Sequence, residues 1–172
     1  MPNCVLIAGH SQVKYFDQYL NVDVVSFSGY RIEQMWGVIG HKVTNYSVIV
    51  LNFGANNLWN DTPSEVINHY QQLVHKVLQV NSRCQVLLSG LLPRAQDFYP
   101  GKMKFEDFLY LVNRKAAFIN IKLSIIVQSN SRLSYIGHTS FVIVGKLQRQ
   151  LLRKDGLYLS RSGAASSERL RR

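Results

Sequence analysis

The residues whose types suit chemistry gather in four short turns: Gly9-His10-Ser11, Ser28-Gly29, Gly54-Ala55-Asn56-Asn57 and Asp155-Gly156-Leu157-Tyr158. Between them they offer a hydroxyl, glycine N–H groups, an amide side chain and a carboxylate. Ser11 lies in the stretch CVLIAGHSQVKY, where the unbroken apolar run Cys4 to Ala8 reads as a strand buried on both faces. Gly9 ends that strand, and Ser11 is the favoured kind of residue to cap a following helix. A hydroxyl so placed stands at the carboxyl edge of a sheet, where open α/β folds bind their ligands. Each residue also has a plain structural role: Ser11 as a helix cap, Gly29 as a turn glycine, Asn56 as a turn or cap residue. Their joint placement favours a shared site.

The elements that must position these turns follow from the apolar pattern. Strands are expected at Val22 to Phe27, Ser47 to Asn52, Gln85 to Ser89 and Leu123 to Val127, besides the opening one. Helical spacing covers Gln12 to Leu20, Arg31 to Val43 and Phe105 to Asn120. The best signalled helix begins at Thr62-Pro63-Ser64-Glu65, a capping box with proline at the first helical position. Phe141 to Val144 reads as a strand fragment or the start of a helix. Strands alternating with helices imply parallel pairing and right-handed crossovers. The expected architecture is a three-layer αβα sandwich around a five-stranded, parallel, flavodoxin-like sheet, with the opening strand near its centre and helices on both faces. Residues 1–163 form this domain and 164–172 a basic tail.

Composition narrows the class. The chain has 172 residues, 47% hydrophobic and 17% charged, enough to bury a real core and too apolar for disorder. No apolar run approaches the length of a membrane-spanning helix, and the first strand begins too early to leave room for a signal peptide. Cys4 and Cys84 fall at strand starts, where buried free thiols are expected rather than a disulfide or a metal pair. These features point to an intracellular, cytoplasmic setting. The formal charge is +10, with much of the excess after Lys146. A basic C-terminal segment of this kind suits weak contact with nucleic acid or an anionic membrane, although no zinc-finger spacing or stacking-aromatic signature accompanies it.

Several motifs are absent: GxGxxG and GxxxxGK[ST], GxSxG and HExxH. The five histidines form no metal-ligand spacing with Cys or carboxylates, so neither metal nor cofactor is expected. The ordered turns that remain resemble the SGNH (GDSL-type) hydrolase superfamily over almost the whole chain. The resemblance implies an esterase-like fold in which Ser11 is the nucleophile. Gly29 N–H and the Asn56 side chain would join the Ser11 N–H in an oxyanion hole. Asp155 would be the acid of a late D-x-x-H motif, and a small acyl ester the substrate. Ser89-Gly-Leu-Leu-Pro-Arg94 and Val112-Asn-Arg114 add to the likeness, which is nearest to SGNH domains of invertebrate genomes linked to retroelement polyproteins.

The sequence departs from that pattern at three positions. His10 and Asn57 stand where the family has aspartates, and Tyr158 stands where it has the catalytic histidine. A phenol of pKa about 10 is ionised to about one part in a thousand at pH 7. Nor does it relay a proton between Ser11 and Asp155 as an imidazole does. Removing a triad member leaves roughly 10³–10⁴-fold catalysis over water. His138, in the loop after the fifth strand, is the substitute base that position would allow. Two functions compete: an SGNH-type serine esterase impaired at Tyr158, and a non-catalytic SGNH-fold module binding nucleic acid or an anionic surface.

Overall fold

The computed structural model describes residues 4–14, 16, 21–157 and 159–163. Five parallel strands, β1 (Val5–Gly9), β2 (Asp23–Ser26), β3 (Val48–Asn52), β4 (Gln85–Ser89) and β5 (Leu133–Ile136), form one sheet in the order β2-β1-β3-β4-β5. The opening strand is paired on both sides, with Ala8 opposite Val25 on β2 and Leu51 on β3. That is why its run carries no polar alternation. The carboxyl ends of β1 and β3 are level, Gly9 facing Asn52, so the turns after them meet at one edge.

Among the described residues the complete α-helices are α1 (Ile32–Ile39), α2 (Pro63–Val80) and α3 (Glu106–Ile126), and Arg161 to Gly163 are also helical. The capping box of α2 forms as the sequence requires: Glu65 N–H donates to Thr62 Oγ1 over 3.3 Å, and Thr62 N–H donates to Glu65 Oε2 over 2.7 Å. Its stripe Val66, Tyr70, Leu73, Val74 and Val77 is buried. Helices α1, α2 and α3 pack into one core with Leu6, Ala8, Ile49, Leu51, Val86 and Leu88, which point to the same side of the sheet. The opposite face presents Ile7 and Val50, against which Val13, Phe16 and Val22 pack among the described residues.

Two further expectations change. Leu123 to Val127 is not a strand: Leu123 continues the α3 stripe of Leu109, Val112, Ala116 and Ile119, so helical burial overrides a short β-branched run. The fifth strand lies instead at Leu133–Ile136, entered by a turn in which Leu133 N–H donates to the Asn130 carbonyl over 2.9 Å. The segment from Phe141 resolves as a small antiparallel hairpin, β6 (Val142–Ile143) and β7 (Lys146–Leu147). Cys84 is buried, as expected, but Cys4 is exposed; both are free.

Candidate active site

The turn after β1 carries Ser11 into a short 3-10 turn, Ser11–Val13. Its cap is His10 rather than Ser11: His10 Nδ1 accepts from the Gln12 N–H over 3.3 Å. His10 thus supplies an acceptor, as an aspartate there would. Burial, reinforced by the Arg94 charge, lowers its pKa to about 4, so the ring is neutral at pH 7 and its nitrogen stays bare. Ser11 is freed from capping. Neither its hydroxyl nor its backbone N–H bonds to another described residue.

The turns after β2 and β3 are joined to each other. Asn56 Nδ2 donates to the Tyr30 carbonyl over 2.9 Å, which sets Asn56 beside the Gly29 turn and leaves its second amide hydrogen uncommitted. Gly29 has a φ of 78°, a backbone conformation that favours glycine. Its N–H likewise has no acceptor among the described residues. Arg94, buried at 3% exposure, donates from Nη2 to the Ala55 carbonyl over 2.6 Å and so fixes the residue before Asn56. Two asparagines of α3 hold that arginine's loop by pairing with its backbone. Asn113 Oδ1 accepts from Arg94 N–H over 2.7 Å, and Asn120 Oδ1 accepts from Leu91 N–H over 2.7 Å. Each amide also donates back to the same residue's carbonyl, over 2.8 and 2.9 Å. The motifs around Arg94 and Asn113 were visible in the sequence; their positioning role was not.

The late turn reaches the same edge. Gln12 Nε2 donates to the Leu157 carbonyl over 2.9 Å, tying the residue after Ser11 to the Asp155 turn across 145 positions. Asp155 Oδ1 accepts from Leu157 N–H over 2.9 Å. Gly156, at φ 68°, is wedged against the Ala95 carbonyl, where a Cβ would collide, and its own carbonyl accepts from Ala95 N–H over 2.9 Å. Tyr158 lies outside the described residues, as does the tail 164–172. His138 is occupied elsewhere: its Nε2 is 2.8 Å from Ser89 Oγ, at the end of β4.

Asn57, the second departure from the family pattern, is fully buried and uses its whole amide. Its Oδ1 accepts from the Ile32 N–H at the start of α1 over 3.0 Å. Its Nδ2 donates to Asp61 Oδ2 over 2.7 Å and to Glu33 Oε2 over 3.0 Å. Arg31 Nη2 donates to Asp61, and Arg31 Nε lies 2.8 Å from Glu33, an ion-pair distance without hydrogen-bond alignment. Burial pushes the Asp61 carboxyl up, but hydrogen bonds from Asn57 and Arg31 outweigh it and the pKa falls below the usual value. Glu33, Asp61 and His69 present ligand atoms within 4.8 Å of one another, a proximity that sequence spacing does not reveal. Arg31 already neutralises that pair of carboxylates.

By sequence, no family model and no curated protein matches the chain. Solved structures do. A protein from Streptococcus pneumonia, provisionally described as a platelet activating factor, matches with a TM-score of 0.79 at 17% identity, over 99% of this chain and 82% of that one. A GDSL-like lipase from Bacteroides thetaiotaomicron matches with a TM-score of 0.77 at 16% identity, over 96% and 84%. The chain has the fold of GDSL-type lipases. A family 3 carbohydrate esterase from Talaromyces cellulolyticus shares this fold, with a TM-score of 0.72 at 12% identity over 99% and 94% of the two chains. At such identities the likeness is one of architecture; in this chain Ser11, Gly29 and Asn56 stand in the turns after β1, β2 and β3. No helix among the described residues is long and apolar enough to cross a membrane.

Proposed function

We propose that this chain carries a serine acyl-ester hydrolase site at Ser11 whose turnover is held low by Tyr158. The observation that carries the reading is the uncommitted hydrogen-bonding capacity at one sheet edge. Ser11 N–H and Gly29 N–H lack acceptors among the described residues, and Asn56 is held at the Gly29 turn with an amide hydrogen to spare. Donors left open in this way suit an oxygen that becomes negative during acyl transfer, each contributing about 3 kcal/mol. Ser11 would attack the ester carbonyl, and Asp155, tied to the Ser11 turn through Gln12 and Leu157, would orient a base at position 158. A phenol there is a poor proton acceptor for Ser11, and His138 is engaged by Ser89.

The test is hydrolysis of p-nitrophenyl acetate by the unmodified chain, by Ser11→Ala and by Tyr158→His. Tyr158→His is expected to raise turnover by about 100-fold or more, the usual contribution of a positioned base, and Ser11→Ala in that background to abolish the gain. Rapid, Ser11-dependent turnover by the unmodified chain would refute the impairment. No gain on Tyr158→His would refute the site.

A further inference from the structure

We propose that Ser89 is a second nucleophile of this chain, with His138 as its base, and that it accepts the acyl group of an apolar ester. The chain of that ester would fill the cavity on the face of the sheet opposite α1, α2 and α3. The cavity has a volume of about 530 Å³, and its walls include Ile7, Val50, Leu87 and Ile136 together with Ser89 and His138. Its apolar lining suits an alkyl chain, and its few polar groups converge at one place, the carboxyl ends of β3 to β5.

Asn52 Nδ2 donates to Ser89 Oγ over 2.7 Å, which fills one lone pair of the hydroxyl. The other partner of Ser89 Oγ is His138 Nε2, 2.8 Å away. In the proposed reaction the hydroxyl donates to Nε2, which requires the tautomer protonated at Nδ1. Burial favours the neutral ring, lowering the His138 pKa to about 4. Asn52 acts as a positioning residue, since it holds the Ser89 rotamer that aims the hydroxyl at the imidazole. His138 Nδ1 has no hydrogen-bond partner among the described residues. Among the described residues no carboxylate pairs with His138 Nδ1 to stabilise the imidazolium that would form, so acylation should be slow and read as stoichiometric labelling rather than rapid turnover.

The step balances without a co-reactant. Ser89 Oγ bonds to the carbonyl carbon while its proton passes to His138 Nε2, and the carbonyl π pair moves to oxygen. As that pair returns, the bond to the alcohol oxygen breaks and Nε2 gives its proton to the departing alkoxide. Acyl-Ser89 remains, and water activated by the same nitrogen releases the acid. None of this depends on the Ser11 reading.

The experiment treats the full chain with an octyl fluorophosphonate and maps the modified peptide. Cleavage at Lys14 and at Arg83 and Arg94 puts Ser11 and Ser89 on different tryptic peptides, so failure at one serine is distinguishable from failure at the other. The phosphonyl group should appear on the Ser89 peptide, and His138→Gln should slow that labelling by at least about 100-fold. Should the glutamine variant misfold by near-ultraviolet circular dichroism, His138→Asn repeats the comparison. A label confined to Ser11, no label on Ser89, or Ser89 labelling unchanged by a folded His138 variant would overturn the proposal.

Discussion

Two polar clusters stand at the carboxyl edge of one sheet and satisfy their hydrogen bonds differently. Around Asn57 the amide is complete: one acceptor serves α1, and both amide hydrogens go to carboxylates that Arg31 also holds. Around Ser89 the chain Asn52–Ser89–His138 stops short, with His138 Nδ1 unpartnered among the described residues at the wall of an apolar cavity. A filled network in low dielectric fixes geometry, because any change leaves a buried group unpaired. An unfilled one retains capacity for a ligand or a proton. The first cluster is thus suited to holding the Asn56 turn in place, and the second to chemistry.

Acid should separate them most. His10 and His138 titrate at about 4 in the folded chain, against about 6.5 unfolded. Between those values the unfolded chain binds more protons, so stability is complete above about pH 6.5 and is lost as pH falls toward 4. Each histidine is worth up to about 3 kcal/mol over that window. The Asp61 carboxyl, with a depressed pKa, weakens its cluster only at lower pH, below the ordinary carboxylate range. Urea unfolding from pH 7 to pH 4 checks this, and His138→Gln should flatten part of the slope. Stability that does not change across the window would mean the imidazoles are not held neutral.

Asn57→Asp attacks the completed cluster directly. A carboxylate at 57 cannot donate to Asp61 or Glu33 and would add a third negative charge beside them. The expected loss is about 2–3 kcal/mol at pH 7, in the range of hydrogen bonds to charged groups. It should shrink as the pH falls and the introduced group takes a proton. Equal stability of variant and parent at pH 7 would show that the amide hydrogens of Asn57 are dispensable.

The sheet was legible because each central strand is an uninterrupted apolar run and each is closed by glycine or a polar turn. Position 57 was legible only as a missing charge, since the partners that make an amide necessary, Glu33 and Asp61, are far apart in sequence. The fifth strand was misplaced because Leu123-Ser-Ile-Ile-Val127 is short, β-branched and also in phase with the α3 stripe; only packing chooses between the two. His138 was recognised as a loop histidine near the crevice, but its pairing with Ser89 depends on β5 lying beside β4 in a register that places Ile136 opposite Ser89. A pairing of that kind has no signature along the chain.

The smaller effects test the segment that links the clusters, which leaves β4 at Ser89 and ends at Arg94. Asn120→Ala removes both hydrogen bonds to Leu91, a residue only 5% exposed, and should cost about 2 kcal/mol while loosening Ser89 more than Arg94. Unfolding by urea, with fluorophosphonate labelling rates at the two serines, would read both parts of that expectation.

Lys115→Met is the gentlest test. Lys115 Nζ donates to the carbonyls of Leu58 over 2.8 Å and Asp61 over 2.7 Å, so α3 holds the Asn57 turn from outside. Methionine keeps the aliphatic stem and drops the donor, which isolates the two hydrogen bonds from packing. Because Lys115 is only half-buried, water can reach the freed carbonyls, and the loss should stay near 1 kcal/mol. A loss well above that would mean the outer clamp, rather than the Asn57 amide, keeps the completed cluster closed, and would move the rigid side of the comparison from the turn to the helix behind it.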